Sequence, residues 1–337
     1  MQKKNPAKRR LERLVVTLLS LLFLSTAVFA TVKYVFRAPE LDTDKPVVTP
    51  DGTASADADR TGTDEPDAPG RTRRKYCYNI LVSGLDDDNG GSDTNILVRF
   101  DVPNKRIDLV SLPRDTLLHN EYRNNKLNFA YAKGGTELLK EQIENLLGIP
   151  VDFYVTVNLK GFIALVDQID GVDFDIPINM DYDDPYQDLH IHFTKGPRHL
   201  NGQEAMEVVR FRHNNDGTGY GTEDIGRIGT QQAFLKAVAK QLLQIGNVKN
   251  IPALVDIFYT YVKTDLTTGN LVWLGNEALN IGTENIHFAT LPGDGSGYYN
   301  KQSVYVLDAQ ATCDLVNEAL NPYNEALTLE DMDILVP

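Results

Sequence analysis

The chain has 337 residues with 33 basic and 47 acidic side chains, which gives a net charge of −14 at neutral pH. A nucleic-acid-binding domain normally presents a basic face, so this acidic balance argues against nucleic acid as a partner. The length allows one large folded domain or two modest ones.

The first 32 residues predict a membrane anchor. Residues 3–13 carry six Lys or Arg and one Glu, and residues 14–32 form a run of 19 without charge. Such a run spans a bilayer core of about 30 Å, with the basic flank 1–13 on the inside. The alternative is a cleaved signal peptide, but its apolar region is shorter and a clean A-x-A site is lacking. We therefore predict a single-pass protein of the cell membrane with an extracytoplasmic domain.

A disordered acidic linker is predicted over residues 33–75. Residues 38–70 hold nine acidic and two basic side chains, with almost nothing apolar to bury. A short basic run at 71–75 closes the linker and is interpreted as a solvated boundary. The folded domain is then expected over 76–325, followed by a C-terminal tail at 326–337.

Strand-like and helix-like segments alternate through the folded part, which predicts an α/β sandwich. The predicted strands are 79–83, 94–100, 106–112, 151–158 and 172–176, the second and third joined as a hairpin through 101–105. The predicted helices are 135–147 with Thr136 as N-cap, 161–166, 204–209, 230–245, 252–262 and 271–279. The glycine-rich stretch 292–299 is predicted to be a surface loop, and 304–320 to be a last strand or helix.

Two carboxylates flank the loop between the first two strands. Asp86 closes the first strand and Asp93 starts the second, so adjacent strands would bring both to one edge of the sheet. Carboxylates are hard oxygen ligands suited to Mg²⁺, which binds substrate phosphates. The alternative is an ordinary polar turn without metal.

Several cations follow at wide spacing, as a multiply charged anion requires. Arg114 follows Pro113 at a strand end, where a guanidinium can bind a phosphate through two hydrogen bonds. Asp115 is next to it, and a local Arg114–Asp115 pair is the alternative. Lys126 lies in a polar segment and supplies a point charge, or is only a solvated loop lysine.

A second group of cations lies near residues 210–231. Arg210 and Arg212 alternate around Phe211, and two guanidinia so close repel each other unless an anion lies between them. Glu204 or Asp224 is the alternative source of counter-charge. Arg227 and Gln231, four residues apart, share one face if a helix begins near Asp224.

These motifs, taken in order, resemble the LytR-CpsA-Psr family from about Asn79 to about Leu291. They are Gly84-Leu85-Asp86, Ser92-Asp93-Thr94, Pro113-Arg114-Asp115, Lys126-Leu127-Asn128, Arg210-Phe211-Arg212 and Asp224-Ile225-Gly226-Arg227 with Gln231. The resemblance implies an α-β-α sandwich with a central mixed sheet. It also implies an enzyme that moves a glycopolymer (teichoic acid, capsule or another wall glycan) from a polyprenyl pyrophosphate carrier onto peptidoglycan, releasing the lipid phosphate.

The same resemblance implies roles for the candidate residues. Mg²⁺ or Mn²⁺ would bind Asp86 and Asp93, and Asp93 or Asp115 would serve as general base. The pyrophosphate would be held by Arg114, Lys126, Arg210, Arg212, Arg227 and Gln231. The chain departs from the family pattern at Asp88, Gly91 and Thr230, where Arg is common, so those cationic contacts are missing.

The sequence leaves other functions open. A pyrophosphatase would use the same residues with water as acceptor. Retention of both carboxylates and of the cations disfavours a pure lipid-glycan binder, and the outward topology disfavours a transcriptional attenuator.

Two further features are weaker. Cys77 and Cys313 allow either a disulfide or two buried thiols. His190 and His192 have the alternating spacing of a strand, but no third zinc ligand has a suitable spacing in the sequence, which favours an ordinary surface strand.

Overall fold

The computed structural model describes residues 36–41, 71–85, 90–221, 223–242 and 257–336. The predicted anchor at 14–32 and linker residues 42–70 lie outside the described residues. None of the helices in the described ranges could span a lipid bilayer. The described residues fall into two compact units, one of 36–40 with Leu266–Glu277 and one of all the others.

A six-stranded sheet forms the centre of the larger unit. Its strands are β1 (Cys77–Leu85), β2 (Ser92–Asp101), β3 (Arg106–Leu112), β4 (Phe153–Asn158), β9 (Val262–Thr264) and β10 (Ile286–Thr290). Three two-stranded sheets accompany it: β5 (Val172–Ile176) with β8 (Gly196–Leu200), β6 (Met180–Asp184) with β7 (Leu189–Phe193), and β11 (Gly293–Tyr299) with β12 (Gln302–Leu307).

The central sheet is mixed, in the order β10-β3-β2-β1-β4-β9. Strands β1, β2 and β3 form an antiparallel meander, whereas β3 pairs with β10 and β1 with β4 in parallel. Strand β9 is antiparallel to β4. The predicted α/β fold and the β2–β3 hairpin are thereby confirmed.

The helices are α1 (Leu127–Leu147), α2 (Leu159–Gln168), α3 (Gly202–Arg210), α4 (Glu223–Leu242), α5 (Thr268–Ile281) and α6 (Ala309–Ala319). The prediction that Thr136 caps the first helix is wrong. Helical structure already begins at Leu127, and Gly135 interrupts it with φ 67° and ψ −155°. A glycine can adopt this conformation. Gly135 separates two helical segments of α1, and the predicted start near residue 135 corresponds to the start of the second segment.

Two other boundaries differ from the prediction. The glycine-rich stretch predicted as a loop forms β11, because its backbone pairs with β12. The predicted helix 252–262 is described from residue 257, is helical to 261, and gives way to β9 at Val262. The segment 304–320 contains both predicted elements, the end of β12 followed by α6.

Helices cover both faces of the central sheet. One face carries Leu81, Leu97 and Leu112 and packs with the apolar sides of α1 and α6 in one core cluster. Ser111, next to Leu112, faces the opposite way, and Gln232 of α4 reaches its hydroxyl. A second core cluster joins α2, α3 and α4 to the β5–β8 and β6–β7 hairpins.

The basic run after the linker is not a solvated boundary. Arg71 pairs with Asp331 at 2.6 Å, Arg73 with Asp152 at 2.5 Å, and Arg74 with the buried Asp101 at 2.5 Å. The C-terminal segment also packs inward, since Leu327 and Met332 belong to the first core cluster. Residues 71–75 and 327–332 are therefore parts of the folded unit.

Both cysteines are buried free thiols. Burial raises the pKa of Cys77 to about 11 and also raises the pKa of Cys313. Neither thiol is ionised at neutral pH, so neither is prepared to act as a nucleophile.

Candidate active site

The first part of the site lies where β2 begins and β3 ends. In the antiparallel register Asn95 is opposite Leu112, so Asp93 and Arg114 lie opposite each other two residues further along. Arg114 Nη1 donates to Asp93 Oδ1 at 2.6 Å. The second predicted metal ligand, Asp86, directly follows β1 but lies outside the described residues.

A buried polar network fixes the backbone beneath Asp93. The Ser83 hydroxyl donates to Asn95 Oδ1 at 3.0 Å, and the Asn95 amide donates to Ser92 Oγ at 3.0 Å. All three side chains are buried. Because buried polar groups with satisfied hydrogen bonds are rigid, this network holds the start of β2 in place.

Lys126 and Asp115 extend this cluster. Lys126 is the N-cap residue of α1, and its Nζ is 3.2 Å from Asp115 Oδ1. The backbone amide of Asn128 donates to the Arg114 carbonyl at 2.9 Å, which attaches the first turn of α1 to the end of β3. The sequence-predicted residues Asp93, Arg114, Asp115 and Lys126 therefore form one cluster of alternating charge.

Arg210 and Arg212 lie at the C-terminal end of α3. Arg210, the last helical residue, donates through Nη2 to Gln187 Oε1 at 2.6 Å. Phe211 is buried beneath the helix end, and the half-buried Arg212 makes no hydrogen bond or ion pair with any other described residue. Neither guanidinium is neutralised by a carboxylate in the described part of the chain.

The alternative counter-charge from Glu204 is excluded by the structure. Glu204 pairs with Arg198 at 2.7 Å and completes the capping box at the start of α3. These bonds lower its pKa against the opposing effect of burial. Glu204 thus lies at the far end of the helix from Arg210, and the side chain of Asp224 lies outside the described residues.

Helix α4 connects the arginine pair to the sheet. Gln231 donates to the Val209 carbonyl at 3.0 Å, next to Arg210. Its neighbour Gln232 donates to Ser111 Oγ at 3.1 Å, to the Ala289 carbonyl at 2.7 Å and to Thr290 Oγ1 at 3.0 Å. Gln232 could not be predicted from the sequence, because a lone helical glutamine gives no signal without knowledge of the strands that it contacts.

Two polar residues near the start of α4, Arg227 and Thr230, are buried. Arg227 is 5% exposed. Thr230, where the family often has Arg, bonds through its hydroxyl to that of Tyr220 at 2.7 Å. Burial raises the pKa of Tyr220, so this hydroxyl stays protonated at neutral pH.

The comparisons with known proteins agree with this fold. Residues 47–321 match the model of the LytR_cpsA_psr family. A Bacillus subtilis (strain 168) protein named polyisoprenyl-teichoic acid–peptidoglycan teichoic acid transferase TagV is 32% identical, over 71% of this chain and 62% of its own. TagU of Bacillus cereus, named as the same kind of transferase, is 31% identical over 78% of this chain and 83% of its own.

A solved structure of Bacillus subtilis TagV superposes with a TM-score of 0.62 at 28% identity, over 78% of this chain and 100% of that chain. The family match covers well over half of the sequence. The chain therefore belongs to the LytR-CpsA-Psr family, and it spans about 62% of the length of the curated TagV sequence.

Proposed function

We propose that this protein is a phosphotransferase that joins a polyprenyl-pyrophosphate-linked glycopolymer to peptidoglycan and releases the lipid phosphate. The observation that carries the proposal is the arginine pair Arg210 and Arg212, which no carboxylate neutralises among the described residues. Two such guanidinia suit the non-bridging oxygens of a pyrophosphate. Membership of the family and the printed names of TagV and TagU support the same chemistry.

The proposed reaction is a substitution at phosphorus. A peptidoglycan hydroxyl attacks the phosphorus attached to the glycopolymer, the bridging P–O bond breaks, and the lipid monophosphate leaves. Asp93 and Asp115 are the carboxylates available to accept the proton of the hydroxyl. Arg114, Lys126, Arg210 and Arg212 hold the phosphate oxygens as negative charge moves between them, so positioning and electrostatics supply most of the catalysis.

Arg227 and Gln231 would support the arginine pair from α4. Arg227 is buried near the start of α4, and the Gln231 amide is bonded to the last turn of α3. They would set the position of the arginine pair and complete the pyrophosphate site from the helical side.

We propose that Mg²⁺ or Mn²⁺ binds Asp93 together with Asp86. Asp93 is 42% exposed, and its second carboxylate oxygen makes no hydrogen bond with the described residues, so an oxygen donor is available for a hard cation. When bound, the ion would neutralise charge on the pyrophosphate. The pair with Arg114 would then keep that guanidinium beside the metal-bound phosphates.

The lipid chain requires an apolar surface, and α2 offers one. Leu159, Phe162 and Ile163 are half-buried and pack against the second core cluster. Helix α2 directly follows β4, with Asn158 as its N-cap accepting from the Gly161 amide at 2.9 Å. We propose that these side chains contact the polyprenyl chain.

We also propose that residues 14–32 anchor the protein in the cell membrane with the domain outside. Protease added to intact cells should then remove the domain. Digestion only after lysis would contradict this topology.

The transfer itself is tested by incubating the full chain, in detergent, with a lipid-linked glycopolymer and a peptidoglycan oligomer. Mass analysis should find the two polymers joined. Release of free glycopolymer at the same rate without the oligomer would instead identify a hydrolase.

A further inference from the structure

The β6–β7 hairpin presents a compact group of histidines and carboxylates on its exposed face. Asp183 is opposite His190 in the strand register, and Asp181 is opposite His192. Because alternate residues of a strand share a face, all four side chains project to the same side, with Leu189 and Ile191 buried beneath. A third potential ligand, which the sequence spacing did not reveal, therefore lies on the neighbouring strand.

We propose that His190, His192 and Asp183 form a binding site for a zinc-class divalent cation. One ligand atom from each of these side chains lies within 4.8 Å of the other two. Imidazole nitrogen with a carboxylate oxygen is a donor set typical of Zn²⁺, whereas Mg²⁺ prefers oxygen alone. Three protein ligands leave a fourth position for water.

The distance between His192 and Asp183 fits a tetrahedral ion. His192 Nε2 is 3.4 Å from Asp183 Oδ1. Two ligands of a tetrahedral zinc ion, each about 2.0–2.1 Å from the metal, are roughly 3.3–3.4 Å apart. His190 Nδ1 lies closer, 2.5 Å from the same oxygen in a direct hydrogen bond, and must move outward by about 1 Å to admit the ion.

An outer carboxylate lies beside each ring, and the one beside His192 is close enough to orient it. Asp181 Oδ1 is 2.8 Å from Nδ1 of His192, so a proton held there leaves the Nε2 lone pair directed toward Asp183. Asp188 Oδ1 is 3.7 Å from Nε2 of His190, on the side of that ring away from Asp183. A metal-binding histidine usually donates its other N–H to a carboxylate in this manner.

The backbone that carries the ligands is held in place. The Asp181 amide donates to Asn214 Oδ1 at 2.7 Å, and the Asp183 amide donates to Asn215 Oδ1 at 2.6 Å. The Asn215 side chain also donates to the Asp183 carbonyl at 3.1 Å. The ligand positions of β6 are thus set by a neighbouring loop, as a preorganised site requires.

The chain contains a matched control in the β5–β8 hairpin. His199 is opposite Asp173, and its Nδ1 is 2.8 Å from Asp173 Oδ1, so this exposed cross-strand pair copies half of the proposed site. Within the described residues, no third histidine, cysteine or carboxylate completes it. A comparison of the two hairpins therefore distinguishes metal binding from the simple pairing of a histidine with an aspartate.

The test is zinc titration of the full chain in detergent by calorimetry, with excess Mg²⁺ to fill sites made of oxygen alone. One Zn²⁺ should bind per chain. H192A and D183N should each abolish this binding, D181N should weaken it by about 10–100-fold, and H199A should leave it unchanged. Equal zinc binding by the wild type, H192A and D183N would overturn the proposal.

A second measurement on the unmodified protein does not depend on how the variants fold. Zinc should shift the ring NMR signals of His190 and His192 and leave those of His199 in place. Unshifted His190 and His192 signals at saturating zinc would also overturn the proposal.

Discussion

Arg212 differs from most arginines of the folded unit in what surrounds its charge. Arg71, Arg73 and Arg74 each have a carboxylate within 2.6 Å, and the buried Arg99 pairs with Asp108 at 2.7 Å. Arg212 has no such partner in the described ranges, and Arg210 has only a neutral amide. A half-buried cation without a counter-charge is unfavourable. An anionic ligand that binds between Arg210 and Arg212 is therefore the simplest explanation for both side chains.

The substitution R212Q tests this interpretation at a single residue. Removing one of two neighbouring positive charges should leave the free energy of unfolding of the ligand-free protein unchanged or slightly higher. Binding of a lipid pyrophosphate should weaken by about 1.5–3 kcal/mol, the contribution of one hydrogen bond to a charged group. Thermal unfolding and equilibrium binding measure the two effects separately.

R73Q is the matched control, because Arg73 is paired with Asp152 at 2.5 Å and both are largely buried. Loss of one partner of a buried pair should lower the free energy of unfolding by about 3–5 kcal/mol. The affinity of the folded protein for lipid pyrophosphate should change little. If R212Q behaves like R73Q, Arg212 is structural and the pyrophosphate must be bound elsewhere.

Asp93 offers a second test at a single side chain. D93N, like D86N, should lower turnover on the order of a hundredfold or more, because each substitution removes the negative charge of a proposed metal ligand. Its pair with Arg114 is 42% exposed on the Asp93 side, so the free energy of unfolding should fall by no more than about 1 kcal/mol. Initial rates and chemical denaturation measure these effects.

D173N is the control for D93N, since Asp173 is an exposed carboxylate paired with His199 outside the site. It should retain wild-type turnover. Unchanged rates in D93N and D86N, with full activity in EDTA, would mean that these carboxylates form only a polar turn.

The sequence predicted some residues of the site better than others, for a physical reason. Asp93 and Arg114 were predictable because Asp93 lies at the start of one strand of a hairpin and Arg114 follows the end of the other, and the hairpin register alone brings them together. Gln232 was not predictable, because it bonds to Ser111 in a strand far from it in the sequence. Asp183 was not predictable, because its place beside His190 depends on a strand register that sequence spacing does not fix.

At the scale of elements, α1 depends on the backbone conformation of Gly135. Its φ of 67° and ψ of −155° lie in a region that essentially only glycine occupies. A Cβ at this position would meet no heavy atom within 4 Å, so any cost of a side chain comes from the backbone itself.

G135A should therefore lower the free energy of unfolding by about 1–3 kcal/mol, as measured by chemical denaturation. G229A is the control within α4, where the added Cβ also meets nothing. It should raise the free energy of unfolding, by up to about 1 kcal/mol, because alanine favours a helix. A neutral or stabilising G135A would indicate that α1 straightens without strain.

The elements whose stabilising contacts are local in the sequence were predicted correctly. Strands β1 to β3 are consecutive and show clear apolar runs, and α3 begins with its own capping box. Strand β11 was missed, because glycine has low strand propensity and only the pairing with β12 orders it. The start of α1 at Leu127 was missed because Gly134 and Gly135 interrupt the helical pattern, and because backbone contacts to the residues after β3 fix its first turn.

At the scale of the whole molecule, the site is assembled from separate layers. The Asp93–Arg114 cluster belongs to the sheet edge, the arginine pair belongs to α3, and α4 contacts both through Gln231 and Gln232. Mixed-sheet topology was implied by the resemblance to the family, but the position of α4 over the sheet required the three-dimensional structure.

The most direct measurement follows the phosphorus during turnover of the full chain with a lipid-linked glycopolymer and a peptidoglycan oligomer. One lipid monophosphate should be released for each joined product, with one phosphorus linking glycopolymer to peptidoglycan, and R212Q should form much less of both products. Release of lipid pyrophosphate, or lipid monophosphate formed without any joined product, would contradict it.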